Sequence, residues 1–191
     1  CSFLGRLASA LAPRVLVPVL FERTSQLLAS AVWQQRAAAL SAMVVSFEGC
    51  ASALEQHLGE LFALAAKHTK DAHPRVRWAA YNALCELATV FDPVFQAAYL
   101  RDTLALLVAG VQEPLERVQA PALSCAQQLA ESVTEESDVA LCAQALLPVL
   151  APLLARASLD AAGDVLDCVA AVARRCGAAF EPFYALYVPP V

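Results

Sequence analysis

The stretch HPRVRWAAYNALCELATVF, residues 73–91, opens with a proline and two arginines and then turns almost wholly apolar. A basic start beside an aromatic suits a nucleic-acid contact. The same residues suit one helix of a repeat in which the arginines are structural. Recurrence decides between the two. RAAALSAMVVSFEGC (36–50), RWAAYNALCELATVFDP (77–93), QAPALSCAQQLAESV (119–133) and DVLDCVAAVARRCG (164–177) align so that Ser41, Asn82, Ser124 and Asp167 share one column. Their successive spacings are 41, 42 and 43 residues. The next column reads Ala42, Ala83, Cys125 and Cys168, always small, as a position of close helix approach requires. This column is expected to be buried.

Each of these segments follows another apolar helical run. RVLVPVLFERTSQLLAS (14–30), EQHLGELFALAAKHT (55–69), FQAAYLRDTLALLVAGV (95–111) and ALCAQALLPVLAPLLARA (140–157) precede the four in turn. Turn signals separate them: Asp71-Ala72-His73-Pro74, Phe91-Asp92-Pro93, Gln112-Glu113-Pro114 and Cys176-Gly177. Two helices per period of about 40–47 residues is the signature of HEAT or armadillo repeats. One pair has too little apolar surface to fold alone, and stacking buries it against its neighbours. The expected fold is all-α, a right-handed α-solenoid of helical hairpins. Its repeats fall near 12–49, 50–92, 93–134 and 135–177, with a stray second helix near 1–11 and a truncated first helix at 180–191. Both ends read as cuts through a larger array. Pro121, inside the second helix of the third pair, is expected to kink that helix or delay its start.

Composition agrees. The chain has 191 residues, 59% of them hydrophobic and only 7% aromatic, dominated by Ala, Leu and Val rather than strand formers. A formal charge of −5 disfavours a nucleic-acid partner, because phosphate binding is driven by Lys and Arg. No 18-residue window is expected to span a membrane. The seven cysteines form no C-x-x-C pair and sit mostly in apolar helical runs, so they read as buried, reduced thiols. No cofactor or metal is implied: His57 and Glu60 share a helix face without a third ligand. G-x-S-x-G, H-E-x-x-H and glycine-rich phosphate loops are all missing, which argues against an enzyme.

The basic start resolves as architecture. Arg77 has a counterpart in Arg36, while the next two repeats carry Gln119 and Ala162. Asp71, six residues before Arg77, suits a ladder in which an inter-helix Asp meets an Arg of the adjoining repeat. Further along the same helix, Val76, Ala80, Ala83, Leu84, Leu87 and Phe91 form the expected buried stripe, and Trp78, Asn82 and Glu86 recur at i, i+4 and i+8 on another face.

The segments VWQQRAAALSAMVVSFEGC, DAHPRVRWAAYNALCELATVFDPVFQ, RVQAPALSCAQQLAE and FEPFYALYV resemble consecutive middle HEAT repeats of the karyopherin-β (importin-β) superfamily, of the importin-5 type. The resemblance covers roughly 14–191, and only 148–164 is shorter than the family's corresponding helix and loop. It implies a nuclear transport receptor working in the cytoplasm, the nucleus and the nuclear pore. Such receptors carry basic, Lys-rich signal peptides of cargo on the concave face made by second helices. They touch Phe-Gly nucleoporins on the outer face, and they release cargo to Ran-GTP, which binds mainly outside this region. No direct nucleic-acid or membrane partner is implied. On this reading Trp78 packs on a lysine stem, Asn82 bonds the extended peptide backbone, and Glu86 takes the ammonium. The W-x-x-x-N spacing also resembles the peptide-binding ladder of armadillo importins. Ser41, Glu48, Ser124, Gln128, Glu131 and Asp167 occupy comparable faces. The acidic run ESVTEESDV (131–139) reads as a solvated turn capping the next helix. The rival reading is a HEAT scaffold of a phosphatase or translation-factor complex.

Overall fold

A computed structural model describes residues 13–188, apart from the side chains of Glu48, Leu159 and Asp160. All regular structure among the described residues is helical. The chain divides into two compact units, residues 1–92 and 93–191.

The first unit holds α1 (Pro13–Leu28), α2 (Trp33–Leu54), α3 (Leu58–His68, entered through a 3-10 turn at Glu55–His57) and α4 (Pro74–Val90). Helix α2 packs against both α1 and α4, and α3 packs on α4. The boundary placed at 49/50 falls within α2, where the segments Trp33–Phe47 and Gly49–His68 meet at 106°. Gly49 is the residue least costly to bend around. The core between α2 and α4 is made of Leu40, Met43, Phe47, Leu84 and Leu87, each 1% exposed or less. At its far end the Phe47 and Phe91 rings meet edge-on at 6.0 Å. Burying each such side chain contributes roughly 1.5–3 kcal/mol.

Local chemistry fixes where α4 begins. Pro74 occupies the first turn, where a missing N–H is harmless. His73 caps the helix, its Nδ1 accepting from the Arg75 N–H at 3.2 Å, while Asp71 Oδ1 accepts from the His73 N–H at 2.9 Å. The expected ladder is present. The Arg36 guanidinium donates from Nε and Nη2 to Asp71 Oδ2 and Oδ1 at 2.7 and 2.8 Å, pinning the first helical pair to the second.

The second unit holds α5 (Val94–Gly110), α6 (Glu116–Ser132), α7 (Glu136–Arg156), α8 (Leu159–Cys176), a 3-10 segment (Gly177–Phe183) and α9 (Tyr184–Tyr187). Helix α6 packs on α5 and α8, and α7 packs on α5 and α8. Ser158 caps α8 by accepting from the Ala161 N–H at 3.3 Å. Gly177 closes it with φ 52°, a conformation that suits glycine. Helix α6 runs through Pro121 from Glu116, so the proline does not delay the start. The helix expected near 1–11 lies outside the described residues. The segment at 180–191 is a 3-10 turn followed by one short helix as far as it is described.

Helix α7 is long and apolar enough to cross a membrane by length and composition. Cys142, Ala143, Leu146, Leu147, Leu150 and Leu153 of this helix are buried.

Candidate functional site

The site is built on α4, and the core defines it by exclusion. Val76, Ala79, Ala80, Tyr81, Ala83, Leu84, Leu87 and Ala88 are buried, a wider stripe than expected, because α4 packs on both α2 and α3. Apart from Pro74, Arg77 and Val90, what remains is Arg75, Trp78, Asn82, Cys85, Glu86 and Thr89, all half-buried or exposed. At about 100° per residue these six lie within an arc of roughly 100°. Trp78, Asn82 and Glu86 therefore share one strip, each half-buried. A rise of about 1.5 Å per residue puts roughly 12 Å between the first and last, about four residues of extended peptide.

The other candidates divide. In the first unit Ser41 is exposed on α2, the helix packed beside α4. Glu48 also belongs to α2, and its side chain lies outside the described set. In the second unit Ser124 and Glu131 are exposed and Gln128 is half-buried on α6, while Asp167 is exposed on α8. Glu131 already holds internal partners. Its Oε1 accepts from Arg174 Nη2 at 3.1 Å and from Gln127 Nε2 at 3.3 Å. The indole column reads Ala37, Trp78, Ala120 and Gly163, so among these second helices α4 alone offers an aromatic platform.

Two features escaped the sequence reading. The Arg75 guanidinium lies over the Trp78 ring, 5.6 Å from its centroid, and the i, i+3 spacing of the two was the signal. Trp33 stacks on His73 with ring centroids 3.8 Å apart and planes 6° from parallel, a contact across 40 residues that no local spacing encodes.

The arginine column has a uniform structural task. Arg36 Nη1 donates to the carbonyls of Ser30 and Ala31 at 2.9 and 3.1 Å, and Arg77 Nη1 to those of Asp71 and Ala72 at 3.0 and 3.2 Å. Gln119 takes the same place in the third repeat, donating from Nε2 to the Glu113 carbonyl. Each side chain ties the turn six residues upstream to its own second helix. The Arg36 guanidinium also holds the Asp71 carboxyl below its usual range, chiefly through the hydrogen bonds it donates.

The small column is buried at Ala83, Cys125 and Cys168, each 0% exposed, with Ala42 half-buried at the start of the array. Burial pushes the Cys142 and Cys168 thiols up to about 12. None of the six described cysteines is in a disulfide. Among the described residues no cluster of His, Cys, Asp and Glu could hold a metal. His57 Nδ1 lies 3.7 Å from Glu60 Oε2, and both line a surface groove of about 430 Å³ with Val17, Pro18 and Phe21.

Comparison with known proteins gives this arrangement a context. Importin subunit beta-3 of Saccharomyces cerevisiae is 28% identical over 187 residues, 97% of this chain and 17% of that protein. Solved structures of Kap121p bound to RanGTP and to Nup53p superpose with a TM-score of 0.90 at 27% identity, covering 97% of this chain and 18% of theirs. Kap121p bound to Pho4p superposes with a TM-score of 0.88, covering 95% and 18%. Over nearly its whole length the chain is similar to these importin-β (karyopherin-β) proteins. No family model matches it. The chain spans less than a fifth of the length of the relatives it matches. The small column and the arginine brackets serve the packing of the repeats, while Trp78, Asn82 and Glu86 on α4 keep part of their surface exposed.

Proposed function

We propose that this chain is part of a nuclear transport receptor of the importin-5 type, and that the α4 strip reads an extended, Lys-rich cargo signal. The observation that carries this reading is the strip itself. An indole, an amide and a carboxylate stand one helical turn apart, each half-buried, on one strip of α4 in a chain similar to importin subunit beta-3 and Kap121p. Kap121p bound to Pho4p and to Nup53p supports cargo and nucleoporin partners for this chain, and Kap121p bound to RanGTP supports release by Ran. The mechanism is non-covalent. Trp78 supplies contact area and a quadrupole for a lysine, Asn82 pairs with the peptide backbone, and Glu86 meets the ammonium. Ser41 extends the same face in the first unit. Ser124, Gln128 and Asp167 offer a more weakly polar face in the second, where Glu131 is shared with Arg174. The groove at Val17, Pro18 and Phe21, bordered by Glu22, Ser25, His57 and Glu60, has room for a phenylalanine side chain of a Phe-Gly nucleoporin.

Titration of a Lys-rich peptide tests the reading. Trp78→Ala weakens binding by about 1–2 kcal/mol, roughly five- to thirty-fold, with little change in thermal stability. Unchanged affinity with lowered stability means that the indole belongs to the core and that α4 carries no cargo. Capture of folded phosphatase or translation-factor subunits, with no peptide binding, assigns the chain to the scaffold class instead.

A further inference from the structure

We propose that Arg75 is a built-in competitor for the indole of Trp78 and sets the affinity threshold that a basic peptide must exceed, an inference that rests on the cargo reading of α4. In the unliganded chain the Arg75 guanidinium already covers the ring at 5.6 Å, the surface that an incoming lysine needs. One indole face cannot hold both cations at contact distance, because they repel and overlap. A bound lysine therefore has to displace Arg75.

Three observations separate Arg75 from a merely structural arginine. Its side chain is exposed, whereas Arg36 and Arg77 are half-buried and donate to turn carbonyls. It stands in the first turn of α4, where the helix dipole disfavours a cation, so helix stability does not account for it. Only its backbone N–H serves the His73 cap, and any side chain retains that bond. Once displaced, the guanidinium swings into water and leaves no buried group without a partner.

The register supplies an internal control. Arg117 occupies the equivalent place on α6, 42 residues on, where the column carries Ala120 instead of an indole. Removing Arg117 deletes the same charge without freeing a ring.

The test is a double-mutant cycle read by titration of the same Lys-rich peptide. Arg75→Ala is expected to tighten binding about two- to five-fold, the range of an exposed cation–π contact, with Arg75→Gln giving the same direction. Arg117→Ala leaves affinity within error. In a Trp78→Ala background the Arg75 gain disappears. A gain that persists there shows bulk charge repulsion and overturns the competitor role, as does no gain in the wild-type background. A second readout needs no peptide. With Trp33→Phe leaving Trp78 as the sole indole, Arg75→Ala raises acrylamide quenching of Trp78 fluorescence, and unchanged quenching overturns the proposal. Failure of the cargo reading is distinguishable: Trp78→Ala then leaves peptide affinity unchanged, while the quenching result still reports whether Arg75 shields the ring.

Discussion

Helices α4 and α6 stand 42 residues apart in the same register, and their two sides obey different rules. On the packed side Val76 matches Val118, Ala80 matches Ala122, Leu87 matches Leu129 and Ala88 matches Ala130, every one of them buried. On the other side Trp78 corresponds to Ala120, Asn82 to Ser124, Glu86 to Gln128 and Thr89 to Glu131 in the 42-residue register. The other buried pairs, Ala79 with Pro121, Tyr81 with Leu123, Ala83 with Cys125 and Leu84 with Ala126, differ in volume, so packing keeps this side apolar throughout and fixes side-chain size at only some positions. Solvent imposes no such limit on the second set. The α4 strip combines an indole with an acid, while α6 offers short polar groups and an acid shared with Arg174.

The largest test attacks the shared side. Leu87→Ala and Leu129→Ala should each cost about 2–5 kcal/mol of stability, measured by urea denaturation. If one of them costs less than 1 kcal/mol, the two helices are not packed alike and the register comparison fails. The open side is tested next. Glu86→Lys should weaken Lys-rich peptide binding about tenfold and flatten its salt dependence, while Gln128→Lys should change it two-fold or less. Equal effects would mean that the strip on α4 has no special part in binding.

How much of this was legible from sequence follows the same division. The period, the helix pairs, the buried stripe and the Asp71–Arg36 ladder all came from spacing, because packing repeats with the fold and spacing records packing. The length of α2, which bends at Gly49 instead of stopping, was not visible, since glycine marks a bend and a stop alike. The partners of Trp78 and Glu131 were missed for another reason. They depend on side-chain rotamers and on the relative rotation of packed helices, and residue order alone does not state either one.

A smaller effect tests the ladder. Arg36 depresses the Asp71 carboxyl, so its ionised form stabilises the folded chain above the ordinary aspartate range near pH 4. That stabilisation is lost as pH falls through the lowered folded value. Asp71→Asn should therefore lower the Tm by a few degrees at pH 7 and should converge with wild type in strong acid. A constant difference between pH 2 and 7 would detach the effect from ionisation. The smallest expected effect concerns the thiols. With their values near 12, Cys142 and Cys168 hold only about one part in ten thousand as thiolate at pH 8. Half-buried Cys85 on the open strip of α4 should alkylate well before either, as read by peptide mapping. Faster labelling of Cys168 would mean that α8 opens readily.

The pins between second helices also have a mechanical consequence. In the first unit the bidentate Arg36–Asp71 pair, with side chains only 16% and 9% exposed, fastens the leading ends of α2 and α4, while the trailing ends meet through the Phe47 and Phe91 rings. In the second unit the ion pair lies at the trailing ends, Arg174 with Glu131, and is 64% and 41% exposed. Dissolved salt screens the exposed pin far more than the sheltered one. Ionic strength therefore acts as a selective softener: it leaves the hinge stiffness of the α2–α4 seam nearly unchanged while making the α6–α8 seam more compliant under load.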